Sequence, residues 1–132
     1  MNKTEQGFTL IEIIAVLLIL GIISVVAVQK YLNVANQARL SAAQIAIAEI
    51  KGRLSSAQAK YMLMNRRAPT TLQLYDYAIG TNAYSSATNL RDVGRGFSLT
   101  LTRANPIRIV VSSVRNVSVT ASVVGTFRAA GS

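Results

Sequence analysis

The chain has 132 residues, with 14 Lys and Arg against 5 Asp and Glu, 51% hydrophobic residues, and neither His nor Cys. That length holds one domain at most. The missing side chains remove the imidazole base, the thiolate nucleophile, the disulfide and the usual soft metal ligands. Carboxylate chemistry is limited to Glu5, Glu12, Glu49, Asp76 and Asp92. A Ser–Lys pair is the one nucleophilic option left, and Lys51 and Lys60 sit in no matching motif. The composition argues against an enzyme and calls for no cofactor.

The hydrophobic residues are concentrated at one end. From Phe8 to Val28 the chain reads FTLIEIIAVLLILGIISVVAV, with Glu12 its only charge. About 20 apolar residues span a bilayer as a helix. A cleaved secretory signal fits poorly, because the leader MNKTEQ has one Lys offset by one Glu and the apolar run is long for that purpose. An ordinary membrane anchor explains the length but not Glu12. An acid near the centre of a spanning helix costs about 2.5–3.5 kcal/mol and is rarely found there without a partner.

The stretch Gly7-Phe8-Thr9-Leu10-Ile11-Glu12, after a short polar leader, resembles the class III signal of type IV pilins and pseudopilins. The resemblance implies cleavage between Gly7 and Phe8 by a prepilin peptidase, N-methylation of Phe8, and retention of the apolar segment. It also implies assembly through Phe8, Thr9 and Glu12. The carboxylate of Glu12 would neutralise the Phe8 amine of a neighbouring subunit, a buried charge being tolerable when paired and costly when not. The competing reading is an acid at a helix N-terminus, favoured by the helix dipole. Lys30 and Arg39 follow the apolar segment and only Lys3 precedes it, so a positive-inside count keeps the C-terminal part in the cytoplasm. The outward orientation rests on the resemblance.

No Pro occurs between Phe8 and Pro69. Apolar residues recur at Ala43, Ile47, Ile50, Leu54, Ala57, Tyr61 and Met64 in alternating steps of four and three, the seam of one helical face. This predicts one helix from Phe8 to about Arg66, roughly 90 Å long at 1.5 Å per residue. Tyr61 and Met64 read as core. Glu49 and Arg53 stand four apart in the favourable order, worth about 0.2–0.5 kcal/mol. Relatives by this resemblance generally have Pro where this chain has Gln29, which keeps its backbone donor and so keeps the helix intact.

Arg66-Arg67-Ala68-Pro69 ends the helix. Residues 70–96 read as a connecting loop with one short helix near Leu72–Ala78. Three alternating runs follow: Phe97, Leu99, Leu101; Ile107, Ile109, Val111; and Val117, Val119, Ala121, Val123. Period-two alternation buries one face of a strand and wets the other, and Asn105-Pro106 and Arg115-Asn116 punctuate the runs. Three antiparallel strands laid over the helical seam give an α+β head, similar to the type IV pilin fold. The segments are 1–7 leader, 8–28 transmembrane and filament-core helix, 29–67 amphipathic half of that helix, 68–96 variable loop, and 97–132 sheet and tail. Many pilins close a C-terminal loop with a disulfide. Without Cys, the tail Gly125–Ser132 must be held by packing or be mobile.

The head is basic. Arg91, Arg95 and Arg108 are candidates for gripping anions or the phosphates of DNA, with a solvated face attracted to anionic surfaces as the alternative. No metal site is expected, since calcium needs clustered oxygens and the acids outside the membrane segment are few and separated. The resemblance thus implies a filament subunit whose partners are copies of itself, the prepilin peptidase, the pilus assembly machinery and, before assembly, the bacterial inner membrane. The mature protein would be extracellular. A type II secretion pseudopilin and a DNA-binding minor pilin are the alternatives. The acid shortage favours the pilus over the calcium-using secretion pseudopilin.

Overall fold

The computed structural model describes residues 7–79, 93–94 and 96–132. The chain divides into two compact units, Met1–Ala35 and Asn36–Ser132. One helix, α1 (Leu10–Asn65), contributes to both.

In the first unit every described residue up to Val34 is exposed, including the large apolar side chains from Leu10 to Val28. The run is rich in Ile and Val, which are mediocre helix formers in water. Helix is nonetheless the conformation that satisfies every backbone polar group internally, as a bilayer demands. The Ser24 hydroxyl is likewise satisfied within the helix, donating to the Leu20 carbonyl at 2.7 Å.

In the second unit α1 buries a single stripe, Ala43, Ala46, Ile47, Ile50, Leu54 and Ala57. The seam stops there. Tyr61 is only half-buried and Met64 is 69% exposed, so the expectation that Met64 belongs to the core fails. The cover thins beyond Ala57, where Tyr77 of the second helix sets its ring edge-on to Tyr61 and its hydroxyl 3.5 Å from Met64 Sδ but leaves most of Met64 open. Glu49 and Arg53 do form the expected ion pair. The helix closes with Arg66 in the left-handed region (φ 53°), whose N–H donates to the Met62 carbonyl at 2.8 Å. This is a C-terminal cap formed without glycine.

A second helix, α2 (Thr71–Ile79), occupies the place of the predicted short helix. Its start is a capping box. The Thr70 N–H donates to Gln73 Oε1 at 3.0 Å, and the Gln73 N–H returns a bond to Thr70 Oγ1 at 3.3 Å. Thr71, Leu74 and Ala78 face the core.

The sheet has the order β1 (Ser98–Thr102), β2 (Ile107–Val114), β3 (Val117–Phe127), antiparallel throughout. Ile107, Ile109 and Val111 on the central strand are fully buried, with Leu101 beside them. Ser112 is an extra residue on β2, since Leu99 pairs with Val111 and Ser98 with Ser113. Past this bulge the inward side changes parity, and Val114, not Ser113, is buried. On β3 four residues, 119–122, lie between partners that on β2 are separated by Ser112 alone. The irregularity accounts for the exposure of Ala121, whereas Val117 pairs with the buried Val114 and is 43% exposed because it stands next to the turn, so the expectation that both are buried fails. The β2–β3 connection is the two-residue turn Arg115-Asn116, with φ of 53° and 61°. The Asn116 N–H donates to the carbonyl of Gly96 at 3.0 Å.

Gly125 belongs to β3 and pairs with Ile109, so the tail begins later than the sequence suggests. A Cβ at Gly125 would lie 2.3 Å from Ile47 Cγ2. Here the sheet meets α1 too closely for any side chain. The remaining tail is held by packing and hydrogen bonds. Ala129 is buried, and its N–H donates to Thr71 Oγ1 at 3.1 Å. Ser132 Oγ accepts from the Thr71 N–H at 2.6 Å and lies 2.7 Å from Thr71 Oγ1. Further bonds run from the Gly131 N–H to the Pro69 carbonyl at 3.1 Å and from the Ala130 N–H to Gln58 Oε1 at 3.2 Å.

Candidate functional site

The candidate site is the start of α1. Gly7, Phe8 and Thr9 precede the helix in non-helical backbone, and Phe8 is 85% exposed. A Cβ built on Gly7 meets nothing within 4 Å, and its φ is outside the left-handed region. The fold therefore places no demand for glycine at position 7, so any such demand comes from a partner that reads the chain. The Gly7–Phe8 peptide bond lies outside the helical hydrogen-bond ladder, where an endopeptidase can bind it in extended form.

Thr9 is the N-cap. Its carbonyl accepts from the N–H groups of Glu12 and Ile13 at 3.1 and 3.2 Å. Glu12, three residues on, reaches back: its Oε2 accepts from both the N–H and the hydroxyl of Thr9, each at 2.8 Å. The pattern Thr-x-x-Glu is that of a capping box. The signal is visible in the sequence at positions 9–12, and the two Thr9 bonds add to the dipole interaction expected of an acid there. Phe8, Glu12, Ile13, Val16 and Leu17 line one shallow, almost wholly apolar groove. The sole charge of the segment thus stands at the edge of an exposed apolar surface with one oxygen bonded to its own chain.

Elsewhere the candidate residues are not brought together. Arg108 is exposed on β2, in register between Thr102 and Thr126. Arg91 and Arg95 lie outside the described residues. Among the described residues no three acidic side chains cluster as metal ligands would. Arg103 is occupied: its guanidinium makes a bidentate contact with Asp76, at 2.8 and 2.7 Å. That contact holds the Asp76 carboxyl below its ordinary range and raises the arginine.

Residues 2–28 match the family model described as the prokaryotic N-terminal methylation motif. The chain carries a prepilin-type signal. The matched stretch contains the Gly7–Phe8 junction, Glu12 and the apolar run. With the α+β head behind it, it supports a prepilin of the type IV pilin or pseudopilin kind. The signal implies processing by a prepilin peptidase and assembly into a pilus-like filament. It also fits a membrane-anchored precursor, since α1 is long and apolar enough to cross a bilayer. No curated protein and no solved structure matches the chain.

Proposed function

We propose that this prepilin is a structural subunit of a type IV pilus-like extracellular filament, stored in the bacterial inner membrane and assembled by helix packing after cleavage and N-methylation. In this reading residues 1–7 are the leader, 8–28 the membrane and filament-core segment, 29–67 the amphipathic continuation, and 68–132 the head. The carrying observation is the placement of Glu12. It is the only charge between Phe8 and Val28, it lies four residues beyond the junction that creates a new amine, and both its intrachain bonds fall on Oε2. Oε1 is left for a neighbour's methylated amine. In a low-dielectric fibre core such a charge pair stabilises assembly, whereas either charge alone is costly. Replacing Glu12 by Val tests this. The expected outcome is a processed subunit that accumulates in the membrane and fails to appear in sheared surface fibres; fibres of normal yield and order from Glu12→Val contradict the pairing role.

Adhesion, motility and related surface roles are served by such fibres. A DNA-capturing minor pilin is the second reading, supported by the exposed Arg108 and the basic balance of the head.

A further inference from the structure

The last turn of α1 carries a surface that neither the core nor the proposed assembly site uses. Leu63 is 82% exposed and Met64 69%, with Met62 beside them. Arg66 and Arg67 follow directly, both exposed and both outside the two ion pairs formed among the described residues. No acidic residue occurs from Ile50 to Tyr75, the stretch that contains Arg66 and Arg67. The nearest acids are committed, Glu49 to Arg53 and Asp76 to Arg103. The result is an apolar helix end with a positive collar. Such a surface is stable against water only by virtue of the fold behind it, and it favours an occupant that is both apolar and negative.

We infer that this helix end docks onto a phospholipid bilayer rich in acidic headgroups. Flexible Met and Leu side chains immerse readily in a disordered acyl boundary. Arginines whose stems lie along apolar surface keep their heads at the phosphate level. Each basic residue near an anionic membrane adds to the attraction, within a Debye length. A protein groove would ask for a fixed arrangement, and here only Met64 is tethered, weakly, by the Tyr77 hydroxyl at 3.5 Å from its sulfur. The inference does not depend on the filament reading.

The test uses the full chain in proteoliposomes of phosphatidylcholine alone, so that its own membrane offers no negative charge. A second population of vesicles, carrying about 30 mol% phosphatidylglycerol, is added and vesicle clustering is measured. The wild type is expected to cluster these vesicles and not vesicles of phosphatidylcholine only. Two variants, Leu63→Ser with Met64→Ser and Arg66→Gln with Arg67→Gln, are each expected to weaken clustering by about tenfold. Arg115→Gln is expected to stay within about twofold, because the β2–β3 turn is at the opposite end of β3 from the tail that bonds to Pro69. All of these positions are exposed, and unchanged circular dichroism shows that folding is intact. Absence of clustering by the wild type overturns the inference. Undiminished clustering by the Leu63 and Met64 variant overturns it in favour of general charge attraction. Equal clustering of neutral vesicles, lost in the same variant, overturns it in favour of contact between two copies of the chain.

Discussion

Both donors of Thr9, its backbone N–H and its hydroxyl, point at the same oxygen of Glu12, at 2.8 Å each. The relationship gives one acid two duties. Within the chain it completes the first turn of α1, where the N–H groups lack helical partners. The proposed assembly gives it the other, between chains, with a cation received on its second oxygen. The two duties are separable by mutation. Thr9→Val removes the hydroxyl and keeps the backbone donor, so processing and assembly persist, with the helix start loosened by about 0.5–1 kcal/mol. Faster amide hydrogen exchange at residues 10–13 of the membrane-embedded protein measures it; unchanged exchange there contradicts the cap.

The tail depends on Thr71, the only fully buried polar side chain among the described residues of the core. Its hydroxyl serves Ala129 and Ser132 together. Thr71→Val keeps the volume and strands the Ala129 N–H, a loss of about 1–3 kcal/mol. A thermal melt of the head followed by near-ultraviolet circular dichroism of its tyrosines should show a lowered midpoint. An unchanged midpoint means that the tail does not brace the fold.

Gly125→Ala places a methyl group against Ile47 Cγ2. Overpacking of this kind costs about 1–3 kcal/mol. The same change in an Ile47→Ala background should cost clearly less, because the colliding atom is gone. A double-mutant cycle by chemical denaturation reads the coupling, and additive effects contradict the close approach.

Asp76 and Arg103 join α2 to the end of β1, both about half exposed, so their contribution is small and screened by salt. The Asp76 carboxyl is depressed in the folded protein by its bonds to Arg103. Its stabilisation is therefore fully present above the ordinary value of 3.8 and is lost as the pH falls through the depressed folded value. Asp76→Asn should lower the melting temperature slightly at neutral pH, and the gap to the wild type should close in acid. A gap that widens on acidification contradicts this sign.

How much the sequence disclosed depends on how local each cause is. The long helix, α2 and the three strands are written in spacings of three, four and two, together with Pro69 and the Asn105-Pro106 and Arg115-Asn116 breaks. Ala43 to Ala57 were readable as core for the same reason. Met64 kept the spacing but lost its cover, because where the sheet ends along α1 is a tertiary fact. Ala121 fails through a bulge, which shifts register without leaving a mark in the alternation, and Val117 fails because it stands next to the turn, where the inward face is partly open. The bonds from Thr71 to Ser132 span 61 residues, and nothing near either residue announces the other. At the candidate site the motif marks Gly7, Phe8 and Glu12 as candidates, and the Thr9 cap is legible from its four-residue spacing. The outward use proposed for Glu12 is a property of an assembly and lies beyond any single chain.

In the proposed function this chain is cut after Gly7 and built into a surface fibre. Intact mass of the protein in a sheared cell-surface fraction tests it most directly. The expected result is an abundant species that begins at Phe8 and carries one added methyl group. A chain still beginning at Met1, confined to the membrane fraction, contradicts it.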